Sequence, residues 1–334
     1  MERASAGEYG DELCPDYGLF PRGLLAVFEA CDALRRSGVA VVLTASAVEL
    51  SHLGNADMLA RAEEMAQRQK AADKAGGIWQ EGALGVSLDK AAQPPRLYGM
   101  TEFPLNHISD LRTVYAALAT RNTAATLMND SSSRTHCFAF LTLRTHDPAG
   151  DKVRTSRFQF VDLAGSERIK DAHGDVADWS GGSQAVTGLL TNFSLTMLGQ
   201  CARALVEHNR RKGKKSKFSF RAYLFDMVML LQESMAGSAS TACFVCVSQA
   251  PDNLGQSKFA LDFGETFSNL SPRPSPVKPE PRKKLLQAAE KMLAEAERVL
   301  AGGGGGKFRF VREAQKRDAE QQIALLAQLA PAPG

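Results

Sequence analysis

Residues 157–165, Arg-Phe-Gln-Phe-Val-Asp-Leu-Ala-Gly, constrain this chain more than any other stretch. Four apolar side chains in six residues read as a buried strand, and the run ends on an aspartate, a small residue and a glycine. A carboxylate at the end of a buried strand, leading into a small-residue loop, belongs to a sheet whose strand ends carry chemistry. A second strand, 137–144, lies one hairpin upstream, and before it comes Asn-Asp-Ser-Ser-Ser-Arg-Thr-His at 129–136. Turn formation accounts for the serines and the aspartate of that run. A phosphate and a metal ion facing the same hydroxyls account for them too, and the remaining sequence has to decide.

Apolar spacing predicts further elements in alternation: a helix at 19–32, a buried strand at 38–48, helices at 108–128 and 187–208, a helix at 224–237, a buried strand at 241–250 and a helix at 253–270. Alternation of this kind predicts an α/β fold in three layers, a mixed and largely parallel sheet between helices. Residues 50–97 are polar and rich in alanine and glycine, and read as a surface insertion, partly helical. Beyond 270 the composition shifts. Residues 271–281 are a proline-rich spacer, 282–334 a helical tail, and glycines 302–306 interrupt it. The helix at 282–300 follows a near seven-residue apolar pattern for little over two repeats, which predicts a solvated helix or weak self-association.

Composition excludes several classes. A net charge of +3 is too small for a general polyanion binder, so nucleic acid is not expected and an anionic partner must meet a local patch. No apolar run approaches membrane-spanning length. Six irregularly spaced cysteines suggest reduced thiols in the cytoplasm. Cys243 and Cys246 form a CxxC, but it sits in the apolar run 241–250, where a buried strand outweighs metal or redox chemistry.

An Asp after an apolar strand commonly holds a magnesium shell in nucleotide hydrolases, and a following Gly amide can sense the terminal phosphate. Here these are Asp162 and Gly165, with Glu167 beyond them. With the hydroxyl run in place, the two segments resemble the switches of the kinesin motor domain. Residues 129–136 are similar to the first switch, Asn-x-x-Ser-Ser-Arg-Ser-His, and 162–168, Asp-Leu-Ala-Gly-Ser-Glu-Arg, match the second. Weaker blocks follow the family order: 17–29, 101–105, 122–130, 192–199 and 230–237. The resemblance covers roughly 17–270.

The resemblance implies ATP and magnesium as cofactors and microtubules as partner, in a cytoplasmic, cytoskeletal setting. It implies that Ser133 binds the metal, with Asp162 in its outer shell. Asn129 and Ser132 would lie beside the γ-phosphate, and Gly165 would report it. Arg134 would pair with Glu167 to close the site, and the helix at 187–208 would relay the switch state. Arg210, Arg211, Lys212, Lys214, Lys215 and Lys217 form a basic stretch of the kind that attracts the acidic tails of tubulin, with Arg221 just beyond. Without the resemblance, the same stretch reads as a solvated loop or a localisation patch.

One expected element has no match. The phosphate-cradling sequence Gly-x-x-x-x-Gly-Lys-Ser/Thr does not occur. The nearest stretch, 301–308, has Ala301 and Phe308 at the first and last positions and follows a helix, so it reads as a linker. In this family the motif would precede residue 1, which predicts a motor fold lacking its first strands and no tight ATP binding by these residues alone. Two functions stay open: a microtubule motor hydrolysing ATP, and a non-catalytic microtubule-binding relative.

Overall fold

The computed structural model describes residues 18–51, 54–60, 85–92, 94–119, 135–165, 183–211, 218–223, 225–302 and 306–329. Helix α1 (Leu19–Arg36) enters on Gly18 and buries Leu24, Leu25, Val27, Phe28 and Cys31 along one face. It ends at Ser37, and Gly38 turns the chain at φ +82. Strand β1 (Ala40–Ser51) follows, then the short β2 (Gly54–Asp57), β3 (Gly85–Asp89), β4 (Arg96–Tyr98) and β5 (Phe103–Pro104). Helix α2 (Leu111–Ala119) leads towards the long hairpin β6 (His136–Asp147) and β7 (Lys152–Asp162).

The strands form one sheet in the order β4-β3-β2-β1-β6-β7-β8, with β5 on β1 and β8 (Glu280–Pro281) capping the start of β7. Every pairing among the described residues is antiparallel. This corrects the largely parallel sheet expected from alternation. The β6–β7 turn is too short for a crossover, and β1 meets β6 antiparallel from Ala40↔His146 to Leu50↔His136. The expected surface insertion at 50–97 is also corrected. Its described parts supply β2, β3 and β4, with Val86, Leu88 and Leu97 buried in the core.

Two apolar layers cover the sheet. On one face, α1 and α2 pack Phe28, Leu111 and Val114 against Leu43, Ala45 and Leu141. On the other, helix α3 (Ser183–Arg210) lays Leu198, Cys201, Ala202 and Leu205 against Val48, Phe138 and Phe140. The short helices α4 (Asp226–Leu230) and α5 (Gln232–Ala236) break at Leu231 and add Met227, Val228, Met229 and Met235 to this core. Helix α6 (Leu254–Ser268) packs beside α3, bringing Phe263 and Phe267.

Residues 282–329 form a helical hairpin, α7 (Arg282–Ala301) and α8 (Arg309–Gln328), that folds back on the sheet. A solvated tail helix is therefore corrected: Ala289 and Ala296 are buried, and Leu285 and Leu286 meet Leu326 and Leu329. Polar contacts seat α8. Arg96 Nη2 meets Asp318 Oδ2 at 2.8 Å, Arg317 Nη2 donates to the Gly85 carbonyl at 2.6 Å, and Gln321 Nε2 donates to the Met100 carbonyl at 2.9 Å. Gly99, at φ +86, permits the approach, since a Cβ there would lie 2.8 Å from that of Ala314.

Behind α8 lies a buried ion pair. Both guanidinium ends of Arg144 reach Glu102, at 2.7 and 2.8 Å, and Thr44 Oγ1 and Gln322 Nε2 also donate to that carboxylate. Burial alone raises the Glu102 pKa, but the Arg144 charge and the donated hydrogen bonds together hold it below the ordinary value.

The stretch 241–250 departs most from expectation. Its apolar run predicts a buried strand, yet all ten residues are exposed and none has a ladder partner among the described residues. An uncharged, near-continuous apolar run matches a strand covered on both faces. Here only one face leans on α6, where Val245 would meet a Cβ at Gly264 at 2.5 Å. Native thiol labelling checks this. Cys243 and Cys246 are exposed, whereas Cys31, Cys137 and Cys201 are buried, and burial pushes the Cys201 thiol up to about 12. Cys243 and Cys246 are expected to react in the native protein, and the three buried thiols only on unfolding.

Candidate functional site

The register of the hairpin sets the described ends of the two sequence-predicted segments, Thr135–His136 and Asp162–Gly165, side by side. Cys137 at the start of β6 lies opposite Asp162 at the end of β7. The hydroxyl run 129–136 therefore leads into the strand end beside which Asp162–Gly165 emerges. Asp162 is exposed, Leu163 packs partly into the core, Ala164 is buried and Gly165 is half-buried. Asn129, Ser132, Ser133, Arg134 and Glu167 lie outside the described residues.

His136, to which the sequence assigns no catalytic role, lies at this end, at the start of β6. It is 5% exposed. Its Nδ1 accepts the Ala164 backbone N–H at 3.1 Å, and its Nε2 lies 2.8 Å from Ser194 Oγ on α3. Beside it, Thr135 Oγ1 donates to Glu49 on β1. The signal for His136 was available: a ring with two polar nitrogens precedes the apolar run 137–141, and a buried nitrogen needs a partner.

Helix α3 runs from this end to the basic stretch. Among its described side chains, 192–210, the buried ones are apolar apart from Ser194. Leu195 and Leu198 pack in the core, while the side chains of Leu189 and Leu190 lie outside the described residues. At the far end Arg210 and Arg211 are exposed, and cations suit a helix C-terminus. Arg210 Nη2 reaches Asn269 Oδ1 at 3.5 Å, and Arg211 pairs with Glu207. Arg221 is exposed in a 3-10 turn, Phe220–Tyr223. Lys212, Lys214, Lys215 and Lys217 lie outside the described residues. Among the described residues no cluster of His, Cys, Asp and Glu is gathered as a metal site. No helix there is long and apolar enough to cross a membrane.

A model of the kinesin motor domain matches residues 10–270. The chain belongs to the kinesin motor family. It is 27% identical over 283 residues to kinesin-like protein K39 of Leishmania chagasi, covering 78% of this chain and 28% of that protein. It is 26% identical over 304 residues to chromosome-associated kinesin KIF4B of Homo sapiens, covering 87% of this chain and 21% of that protein. The chain thus spans less than a third of the length of either relative. A solved structure of KIF14 residues 391–772, a two-heads-bound dimer with AMP-PNP in complex with a microtubule, aligns at a TM-score of 0.64 and 26% identity. That alignment covers 79% of this kinesin chain and 68% of the KIF14 chain.

Proposed function

We propose that this kinesin chain works as a microtubule motor, coupling ATP hydrolysis at the end of β7 to track binding at the far end of α3. The observation that supports this reading most is the Cys137↔Asp162 pairing, which sets the start of β6, the residues that follow 129–134 in the chain, beside the end of β7. In this reading Ser133 binds magnesium and Asp162 stands in its outer shell. Asn129 and Ser132 flank the γ-phosphate, and Gly165 senses it by its amide. Arg134 and Glu167 close over it. The described donors fit such a group: an exposed carboxylate at Asp162 and a backbone amide at Gly165, where no Cβ obstructs an approaching oxygen. ATP supplies the free energy when bound. The residues of the chain orient the attacking water and carry the switch state through α3.

A second reading has its own observation. No stretch of the 334 residues matches Gly-x-x-x-x-Gly-Lys-Ser/Thr. On that reading the chain binds microtubules without turnover and keeps the switches as structure. Co-sedimentation separates the two. A motor shows microtubule affinity that changes between AMP-PNP and ADP; a non-catalytic binder shows one affinity in both. Either way, reversing charge at Lys212, Lys214, Lys215 and Lys217 to glutamate is expected to weaken co-sedimentation about tenfold at low salt, and less as salt rises. Unchanged affinity in that variant would remove the basic stretch from the track-binding face.

A further inference from the structure

We propose that His136 is a positioning residue that ties the Asp162–Gly165 segment to helix α3, so that neither moves without the other. The inference rests on the motor reading above, because it assigns the step between nucleotide sensing and track binding. It goes beyond the switch residues themselves.

The argument starts from donors and acceptors. The Ala164 backbone N–H can only donate, so His136 Nδ1 must be the unprotonated nitrogen at 3.1 Å. The ring hydrogen then sits on Nε2 and points at Ser194 Oγ, 2.8 Å away. One imidazole thus joins three elements: the start of β6, the loop leaving β7, and α3. All three partners are buried: His136 is 5% exposed, Ser194 5% and Ala164 5%. Water is therefore a poor substitute for either bond, and breaking one leaves a polar group unmet.

Position gives the link its function. Ala164 is the residue before Gly165, so an amide that turns towards a phosphate at Gly165 pulls on the peptide held by His136. Ser194 lies in the described first part of α3, whose other end carries Arg210 and Arg211. A rigid ring with two directional bonds transmits a displacement that loose apolar contact would absorb. The apolar seat of α3 at Leu198 and Cys201 holds the helix to the sheet but sets no direction along its axis.

The test uses Ser194→Ala in the full chain, a change too small to threaten the fold, with His136→Asn alongside. Asparagine keeps an acceptor for the Ala164 N–H and gives up the reach to Ser194. Amide hydrogen exchange at Ala164 is read first, without nucleotide or microtubules. Ser194 is joined to Ala164 through the His136 ring, so an acceleration of about tenfold at Ala164 in S194A, beyond any change at amides of the β1–β6 ladder, is the expected signature of a bond passed through the ring. In H136N, Ala164 stays protected. The ratio of microtubule-stimulated to basal turnover, each variant measured against its own basal rate, falls about tenfold in both. Wild-type exchange at Ala164 in S194A overturns the proposal, as does full stimulation in both variants. Failure of the motor reading is distinguishable, because it leaves wild-type protein without stimulated turnover while the exchange result still decides the link.

Discussion

Glu102→Ala is expected to lower the unfolding free energy by about 3–5 kcal/mol, because it leaves a buried guanidinium without its partner. Arg144 and Glu102 side chains are only 4% and 9% exposed, and the carboxylate is met by two guanidinium nitrogens, a threonine and a glutamine. The loss reaches past the pair itself. Gln322 belongs to α8 and Thr44 to β1, so the same carboxylate binds the helical hairpin to the sheet. Urea unfolding followed by circular dichroism reads the change as a lower midpoint. A shift below about 1 kcal/mol would mean the pair behaves as an exposed one.

The same site makes a pH prediction whose sign follows from the two carboxylates involved. The Glu102 pKa is held below its ordinary value, so its contribution is present above that value and is lost as pH falls through the native one. Asp318 runs the other way. Its burial raises its pKa more than Arg96 lowers it, so its contribution is present at low pH and is lost as pH rises through the raised value. The two oppose each other on the acid side. Glu102→Gln removes one of them, and the acid loss of stability is expected to become shallower than in the wild type.

Phe138→Ala is expected to cost about 3–5 kcal/mol by the same measurement, through lost burial and the cavity left behind. Phe138 is fully buried on β6, stacked at 6.4 Å on Phe140, under the side of α3 that carries Leu198 and Cys201. Phe138 lies two residues beyond His136 on the same face of the strand. The variant therefore loosens the seat of α3 next to the site, and α3 is expected to lose exchange protection before the β1–β6 ladder does. The adjacent strands keep their hydrogen bonds whatever the side chain, so equal loss in both would contradict this placement.

Long elements with many apolar residues were legible from sequence. α1, β1, β6 and α3 fall where apolar spacing put them; β7 is a strand as expected, but its residues 157–162 are exposed or half-buried where a buried strand is predicted, and the motifs at 129–136 and 162–168 pointed to the family whose model matches. Direction was not legible. Helices and strands that alternate suggest crossovers, but nothing in a strand's own residues says which way its neighbour runs, and β1 and β6 pair antiparallel across a long interval. Short strands escaped for a different reason: Gly54–Asp57 has one alanine as its only apolar side chain, and Gly85–Asp89 alternates over too few residues to register. The hairpin α7–α8 looked solvated because its docking is largely polar, through Arg317, Asp318, Gln321 and Gln322, which composition counts as surface. The segment 241–250 was misplaced because apolar content predicts burial only where a partner is present to provide it. His136 was passed over because its importance lies in what its two nitrogens meet, and those partners are 28 and 58 residues away.

The most direct measurement is ATP turnover by this 334-residue chain with and without microtubules, wild type beside Glu167→Ala. The account predicts turnover that rises at least about tenfold with microtubules in the wild type and stays flat in the variant. Turnover that ignores microtubules, or a stimulated rate that survives the loss of Glu167, would contradict it.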